Sequence, residues 1–566
     1  MAILIVVVSF LLFYFVGYRF WSKFLAEKVF KVSENEVTPA HTPGLRDDVD
    51  CLPVDKHILW GHHYTSIAGA APIIGPAVAI YWGWLPAIIW VVFGSIFMGS
   101  VHDFGSLLVS ARHGGKSMAS IAGSVIHPRA RILFQVLIYF LIWIVLAVFS
   151  FAIGVLFTKY PESVIPVNFE IVIAMVIGYF IYKKKIKLLI PSLIALGLLY
   201  AMIPVGLAYP VNVGGLGFMP SSFETWAVIL LIYSAVASVM PVWLLLQPRD
   251  FINSHQLIVG LALLVLGLIF LNPEMSAPMI RESVGSADGG APGILPMIFV
   301  TIACGAISGF HGLVSSGTTS KQLNKMKDAR LIGYGAMLSE SALAVLATVA
   351  VGAGLSDWAG HYHDWNASGI NAIANFVEGG GTFLEALFFS SKTAQVIIAV
   401  LAISFAATSM DTAARIQRII VSEFGEAVGI SLFKNRYLAT VVAVGPAIPL
   451  VLMGKSVWGP LWMLFGTTNQ LVAAVILLVL YVYLVKSRRP AWPIGIPMIL
   501  IVVITLIAMI TNIYTWYHDL TLGVGGATWM TLILAVILLL LEVWLLVEAW
   551  VILRNFSQVR KREVKF

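Results

Sequence analysis

The chain has 566 residues, 59% of them hydrophobic and 11% charged, and its mean hydropathy is +0.93. Soluble domains carry roughly 25% charged residues, so a water-soluble enzyme, a disordered chain and a nucleic-acid module are excluded, and the apolar surplus must face lipid. Two cysteines, Cys51 and Cys304, exclude a disulfide framework, a zinc ribbon and an iron–sulfur cluster, while the formal charge of +7 has meaning only through where the basic residues lie.

A membrane helix needs about 20 mostly apolar residues. That ruler predicts an all-α polytopic protein of about fifteen spans. They lie near 2–20, 57–82, 85–110, 131–157, 166–182, 186–208, 225–246, 255–272, 294–316, 331–354, 392–413, 437–453, 458–484, 493–514 and 527–553. The first has neither a basic n-region nor a small-residue cleavage site, so it reads as a retained helix. Residues 21–31 alternate apolar residues with Lys and are expected on the inner membrane surface.

Lys and Arg in short loops set orientation. With the N-terminus outside, the inner segments collect Lys23, Arg46, Arg112, Lys116, Lys183, Lys185, Lys187, Arg249, Lys321, Lys325, Arg415, Arg418, Lys486 and the tail from Arg554 to Lys565, among others. Only Lys159, Arg281, Lys392 and Lys455 fall outside. The expectation is N-out and C-in. The basic excess is then a topology signal, the bilayer is the partner, and no nucleic acid is expected. The outer loops, about 273–293 and 355–391, are rich in Gly, Ser and Asp, and the His361/His363 pair reads as solvent-exposed decoration. No metal and no cofactor is expected, and the sequence carries no signal of oligomeric state.

Two spans are unlike lipid-facing helices. The second places Gly69, Pro72, Gly75 and Pro76 near its middle, and the ninth carries Gly305, Gly309, Gly312 and Gly317. Backbone groups released from the helical ladder are tolerated in a membrane only where protein or a polar cavity receives them, so both are predicted to be discontinuous. Gly61-x-His63 followed by Gly69 matches Gly309-x-His311 followed by Gly317, and the two spans run in opposite directions. Paired interrupted helices of opposite direction point to an inverted-repeat secondary transporter. Five spans counted from each give repeats over 57–208 (spans 2–6) and 294–484 (spans 9–13). The segment 209–293 is then an insertion of spans 7–8, and 1–56 and 485–566 are peripheral.

Ionisable residues inside spans mark pathways, relays or structural pairs. His62 and His63 precede Ser66 and Gly69 in span two, and His311, Ser315 and Ser316 occupy the matching part of span nine. With Asn469 and Gln470 of span thirteen, these are the candidate substrate contacts. Thr408 and Ser409 suit a hard cation such as Na⁺, whereas Asp411 suits a proton; Asp411 also stands i, i+4 from Arg415 and fits a simple pair. Asp103 reads as a proton carrier or an interfacial salt bridge. Gln247, Arg249 and Asp250 are expected at the inner surface as a gate or folding pair, and Glu340 in span ten has that same ambiguity.

HHYTSIAGAAPIIGP, QPRD, SGFHGLVSSGTTSK, TSMDTAAR and LWMLFGTTNQLVAA, spread over residues 57–480, together resemble the carbon starvation protein A (CstA) family. The resemblance implies an inner-membrane secondary transporter of a bacterium or archaeon, for peptides in some members and pyruvate in others. It also implies kinship with the leucine-transporter-like superfamily of five-plus-five inverted repeats. In that fold the first and sixth core helices are broken and hold substrate, which corresponds to spans two and nine. A cation site lies between the first and eighth core helices in sodium-coupled members, which puts Thr408 and Ser409 at ion-binding positions; proton-coupled members lack it, and Asp411 keeps that alternative open. The expectation is ion-coupled uptake by alternating access. A membrane enzyme would need a motif such as H-E-x-x-H or G-x-S-x-G, and none appears. A nutrient sensor would need an output domain beyond the dozen residues after Arg554, and a channel would show no coupling to a gradient.

Overall fold

The computed structural model describes residues 2–47, 51–184, 189–215, 219, 221–281 and 291–563. Lys185, Lys187, Lys565 and residues 282–290 of the first long loop lie outside the described residues. Among those described, the protein is helical and without strands, as expected where every backbone N–H and C=O must be satisfied within the segment.

In chain order, α1 spans Ile3–Val29. Helices α2 (Lys56–Ile67) and α3 (Ala71–Trp82) form one span bent by 47°, and α4 is Trp84–Arg112. A short α5 (Met118–Val125) precedes α6 (Pro128–Lys159), α7 (Pro161–Phe180), α8 (Leu189–Ala208), α9 (Ser222–Val239) and α10 (Leu246–Leu271). Then come α11 (Ile294–Thr301) and α12 (Gly309–Val314), separated by a non-helical break, and α13 (Met326–Gly354). The chain continues through α14 (Trp365–Glu385), α15 (Ser391–Val428), α16 (Arg436–Leu452), α17 (Lys455–Lys486), α18 (Trp492–Leu522) and α19 (Trp529–Ile552).

Twelve of these helices are long and apolar enough to cross a membrane. Of the other three predicted spans, α2 and α3 pass that test only together as a bent pair, α11 and α12 are separated by the second break, and α16 is short. Two expectations need correction. Residues 21–29 continue α1, and Leu25, Val29 and the following Phe30 are buried in protein contacts. The loop over 355–391 is mostly the helix α14, whose Phe376, Val377 and Phe383 are fully buried against α3, α13 and α15.

Burial separates a core from a periphery. Of the most apolar window in each helix, 89% is buried in α15 and 83% in α13 and α17, against 22% in α1 and 39% in α19. Exposed Ile5, Leu12 and Phe15 on α1 and Leu540, Trp544 and Trp550 on α19 form the apolar skin that lipid would cover. The core helices are small-residue rich, which lets backbones approach closely. α6 packs along α15, α10 along α2 and α15, and α17 along α12 and α6; α7 and α8 pair with each other and with α10.

The first break has a direct cause. Asp55 caps the start of α2 by accepting from His57 N at 2.8 Å, and Ala68 then leaves helical geometry just before Pro72 opens α3. Gly69 lies there because a Cβ would stand 2.7 Å from Ser409 Oγ and 2.8 Å from the Phe149 ring. At the second break Ile302 leaves helical geometry and Gly305 adopts φ +88°, with a would-be Cβ 2.8 Å from Ala344 Cβ.

Candidate transport site

The polar residues of the core fall into three buried groups. The first surrounds Arg249, which α10 carries into the interior and not to the inner surface as expected. Its guanidinium meets Glu170 Oε1 at 3.2 Å and Asp411 Oδ2 at 2.7 Å, and donates to Tyr233 Oη at 2.9 Å. Tyr233 in turn donates to Asp411 Oδ2 at 2.9 Å, and Ser404 Oγ donates to Glu170 Oε2 at 2.7 Å. Arg249, Glu170 and Asp411 are shut away from solvent, so one cation answers two carboxylates from α7 and α15. Asp411 is therefore paired with Arg249 and not with Arg415, which donates to the Met240 carbonyl at the end of α9.

The second group lies beside the first break. His62 Nδ1 stands 2.6 Å from Asp250 Oδ2, which also accepts from Ser66 Oγ at 3.4 Å. Thr65 Oγ1 donates to the Asp250 carbonyl. One turn further along α10, Asn253 Nδ2 donates to Thr408 Oγ1 at 2.6 Å, while Thr408 donates to the Ser404 carbonyl. Ser409 Oγ donates to the Ser66 carbonyl at 3.4 Å. Both hydroxyls at the ion-binding positions of the resemblance are thus engaged in protein hydrogen bonds.

The third group surrounds the second break. His311 on α12 lies between Asp103 Oδ2, 3.0 Å from Nδ1, and Glu340 Oε2, 3.2 Å from Nε2. Asp103 also meets His102 Nδ1 at 2.8 Å, so it is a buried partner of histidines and, among the described residues, forms no interfacial bridge to Lys or Arg. Asn469 Oδ1 accepts from Phe310 N at 3.0 Å and so satisfies an orphan N–H at the start of α12. Its Nδ2 donates to Ser308 Oγ at 3.0 Å and Cys304 Sγ at 3.3 Å. Gln470 donates to the Phe299 carbonyl at 2.6 Å, and His63 Nδ1 meets Thr319 Oγ1 at 2.9 Å.

A cavity of about 340 Å³ connects the surface to the second group. It runs from exposed Lys116, past Lys321, Arg415, Arg418 and Glu423, to His62 and fully buried Asp250. Of the candidate residues, His62, Ser316 and Arg415 line it. His63, Ser66, Gly69, His311, Ser315, Asn469 and Gln470 do not; they are packed in the protein around the two breaks. Gln247 sits at the start of α10 and Ser316 Oγ donates to the Gly312 carbonyl. The His361/His363 pair is tied locally, His361 to the Asp357 carbonyl and Glu378 and His363 to the Gly360 carbonyl.

Sequence reasoning missed Glu170, Tyr233 and Asn253. Glu170 had a readable signal, a lone carboxylate within an apolar span; Tyr233 and Asn253 are ordinary polar residues until the fold sets them against Asp411 and Thr408.

The family model described as "Carbon starvation protein CstA" matches residues 1–368 and 355–508. The chain belongs to the CstA family. A Bacillus subtilis protein named "Peptide transporter CstA" is 33% identical over 504 residues, covering 82% of this chain and 82% of that protein. A relative of the same name from Mycobacterium tuberculosis H37Rv is 31% identical over 569 residues, covering 89% and 74%. The Escherichia coli K12 protein named "Pyruvate/proton symporter BtsT" is 35% identical over 352 residues, covering 61% of this chain and 49% of that protein. Among solved structures, MhsT in complex with L-phenylalanine superposes with a TM-score of 0.52 at 11% identity, over 81% of this chain and 99% of that one. That likeness places the fold in the leucine-transporter-like class. The chain is a multi-pass membrane transporter of this family and not an enzyme.

Proposed function

We propose that the protein is a proton-coupled symporter of the cytoplasmic membrane that imports a small carboxylate-bearing solute, pyruvate or a short peptide, by alternating access. The observation that carries this reading is the cavity ending on His62 and Asp250. A volume of about 340 Å³ is at the small end of ligand sites, roughly 300–1,000 Å³, and four basic side chains along its walls, against Glu423, favour an anion. At its blind end a histidine–carboxylate pair, able to gain and lose a proton, replaces a fixed charge. Relatives named for peptide transport and for pyruvate/proton symport agree with both features.

The proton is favoured over Na⁺ because Thr408 and Ser409 are committed. Asn253 presents N–H to Thr408 where a cation would need a lone pair. His63, Ser66, Gly69, His311, Ser315, Asn469 and Gln470 then shape the breaks and support the path, while His62, Ser316 and Arg415 face the solute. Asp411 and Arg249, with Gln247 at the foot of α10, form the structural pair behind Asp250.

Fifteen spans with the N-terminus outside fit this reading, since the cavity mouth shares its end of the bundle with Arg112, Lys116, Lys321 and Arg418; the conformation is then open to the inside. The packing supports a division of the repeats different from the contiguous count. α10 lies along α2 as α17 lies along α12, α6 pairs with α15, and α5 rests on α6 as α14 rests on α15. The first repeat is then α2–α3, α4, α6, α9 and α10, with α7–α8 as the insertion. The second is α11–α12, α13, α15, α16 and α17, and α1, α18 and α19 are peripheral.

Uptake of radiolabelled pyruvate and of a labelled dipeptide into proteoliposomes tests this. A pH gradient, acidic outside, is expected to drive accumulation of one of them, and a Na⁺ gradient is not. Asp250→Asn is expected to abolish accumulation while retaining exchange of labelled for unlabelled solute. Uptake driven by Na⁺ alone, or unaffected by either gradient, would reject the proposal.

A further inference from the structure

The group around His311 is not explained by the transport path. It is sealed from the cavity, yet it concentrates acidic groups. Asp103 and Glu340 are both fully buried, and their ion pairs are to histidines, with no Lys or Arg among them. Cys304 completes the set: its Sγ, a His311 ring nitrogen and a Glu340 oxygen all lie within 4.8 Å of one another.

The geometry at Nε2 is informative. His311 Nε2 is 3.2 Å from Glu340 Oε2, but without the alignment of a hydrogen bond, and neither oxygen of Glu340 has an aligned partner. Tetrahedral zinc with bonds near 2.0 Å to nitrogen and oxygen separates those ligand atoms by about 3.3 Å. The remaining ring nitrogen, Nδ1, faces Asp103 at 3.0 Å, and Asp103 is itself held by His102. A carboxylate on the far nitrogen is the usual outer support of a metal-bound histidine, fixing its tautomer and orientation. Cys304 has a matching support, since Asn469 Nδ2 donates to its sulfur at 3.3 Å.

We propose that Cys304 Sγ, His311 Nε2 and Glu340 form a binding site for a zinc-class divalent cation at the second helix break, with Asp103 and Asn469 orienting its ligands. Thiolate, imidazole and carboxylate together select zinc over magnesium or calcium. The three residues supply three ligand atoms, and the fourth position of a tetrahedral site is left to a water. The ion balances the buried carboxylates and ties the break, through Cys304 and His311, to α13, through Glu340. No chemistry on the solute is implied, because the site does not line the cavity. Neither the sequence motifs nor the local histidines of the outer loop pointed to this set. Its ligands come from two separate stretches of chain, the second break and α13.

The test uses the full chain purified in detergent without added metal and assayed by plasma mass spectrometry. About one zinc per chain is expected, with a severalfold fall in Cys304→Ser and in Glu340→Gln and no change in Cys51→Ser. A spectroscopic measurement on the wild type guards against variants that fail to fold. After chelation and addition of Co²⁺, a thiolate-to-cobalt charge-transfer band is expected in the wild type and Cys51→Ser and is absent from folded Cys304→Ser. Wild-type protein that carries no metal, shows no such band and gains no thermal stability from added Zn²⁺ would overturn the proposal. The group would then be a buried Asp103–His311–Glu340 ion-pair chain. Proteoliposome uptake is scored separately, so loss of the metal site and loss of the transport reading remain distinguishable.

Discussion

The two helix breaks share a sequence pattern and differ in chemistry. Gly61-x-His63 with Gly69 and Gly309-x-His311 with Gly317 match position by position, yet His63 meets one hydroxyl, Thr319, whereas His311 lies between two carboxylates. The helices around each break cause the difference. α4 and α13 bring Asp103 and Glu340 to the second break, while α10 brings Asp250 to the first and sets it against His62, which no repeat position predicts. The first break adjoins the cavity and has a histidine–carboxylate pair at its blind end. The buried group at the second is closed, capped by Asn469 and packed against α17, although Leu313 and Ser316 further along lend their side to the cavity wall. A repeated motif thus fixes where a helix is interrupted, and its neighbours decide what the interruption does.

The sharpest way to break this comparison is to remove the charge behind the first site. Arg249→Met leaves Glu170 and Asp411 buried without their cation, and breaking such a pair costs about 3–5 kcal/mol. Loss of folded protein, or a large fall in melting temperature, is expected in detergent. Adding Asp411→Asn and Glu170→Gln in the same chain is expected to recover much of it, because no uncompensated charge remains.

The matched glycines give the next effect. A methyl at Gly309 would stand 2.4 Å from the Asn469 carbonyl oxygen and 2.7 Å from Ala473 N, which are backbone atoms that cannot turn aside. At Gly61 the nearest atom is Ser254 Oγ at 2.9 Å, a rotatable hydroxyl, and at Gly317 nothing lies within 4 Å. Gly309→Ala is therefore expected to cost about 1–3 kcal/mol or more from overpacking. Gly61→Ala should cost less, and Gly317→Ala should change stability by no more than about 0.5 kcal/mol. Thermal melts of the three variants check the order; equal effects at Gly309 and Gly317 would show that the breaks are packed alike.

The smallest effect lies outside both breaks and calibrates the others. Glu36 receives Arg112 Nε at 2.9 Å and Ser33 N at 3.1 Å. Burial pushes its carboxyl up, but the guanidinium and the N–H outweigh that and hold it below the usual carboxylate range. A depressed folded-state value means that the stabilisation is present above the unfolded value, about 4.3, and is lost as pH falls through the folded one. Partial exposure keeps the contribution below about 1 kcal/mol. Glu36→Gln is expected to lower the melting temperature slightly at pH 7 and to have no effect at the acid end of the stable range.

Much of the fold was legible because lipid imposes a one-dimensional rule. Apolar length marked the spans, and Gly and Pro marked the two breaks. The site was legible only in part. His62, Asp411 and Arg249 stand out as ionisable groups in apolar stretches, and Glu170 carried the same signal. The pairing of Asp411 with Arg415 was a local inference from i, i+4 spacing, and it failed because Arg249, distant in sequence, arrives with a better geometry. The expected loop over 355–391 was misread because its glycines and polar residues suit a helix buried by α3, α13 and α15 as well as they suit a turn.

By itself the sequence determined that this chain lives in the membrane, where its helices run, where two of them break, and to which family it belongs. Hydropathy and backbone hydrogen bonding are properties of a segment and need no partner. The tertiary structure decided which carboxylate answers which cation, which hydroxyls are already engaged, and which histidine meets a cavity. Those are properties of pairs of residues as far apart as Asp103 and His311, or Asp250 and His62. In a low-dielectric interior such pairs are set by the packing that brings the groups within about 3 Å.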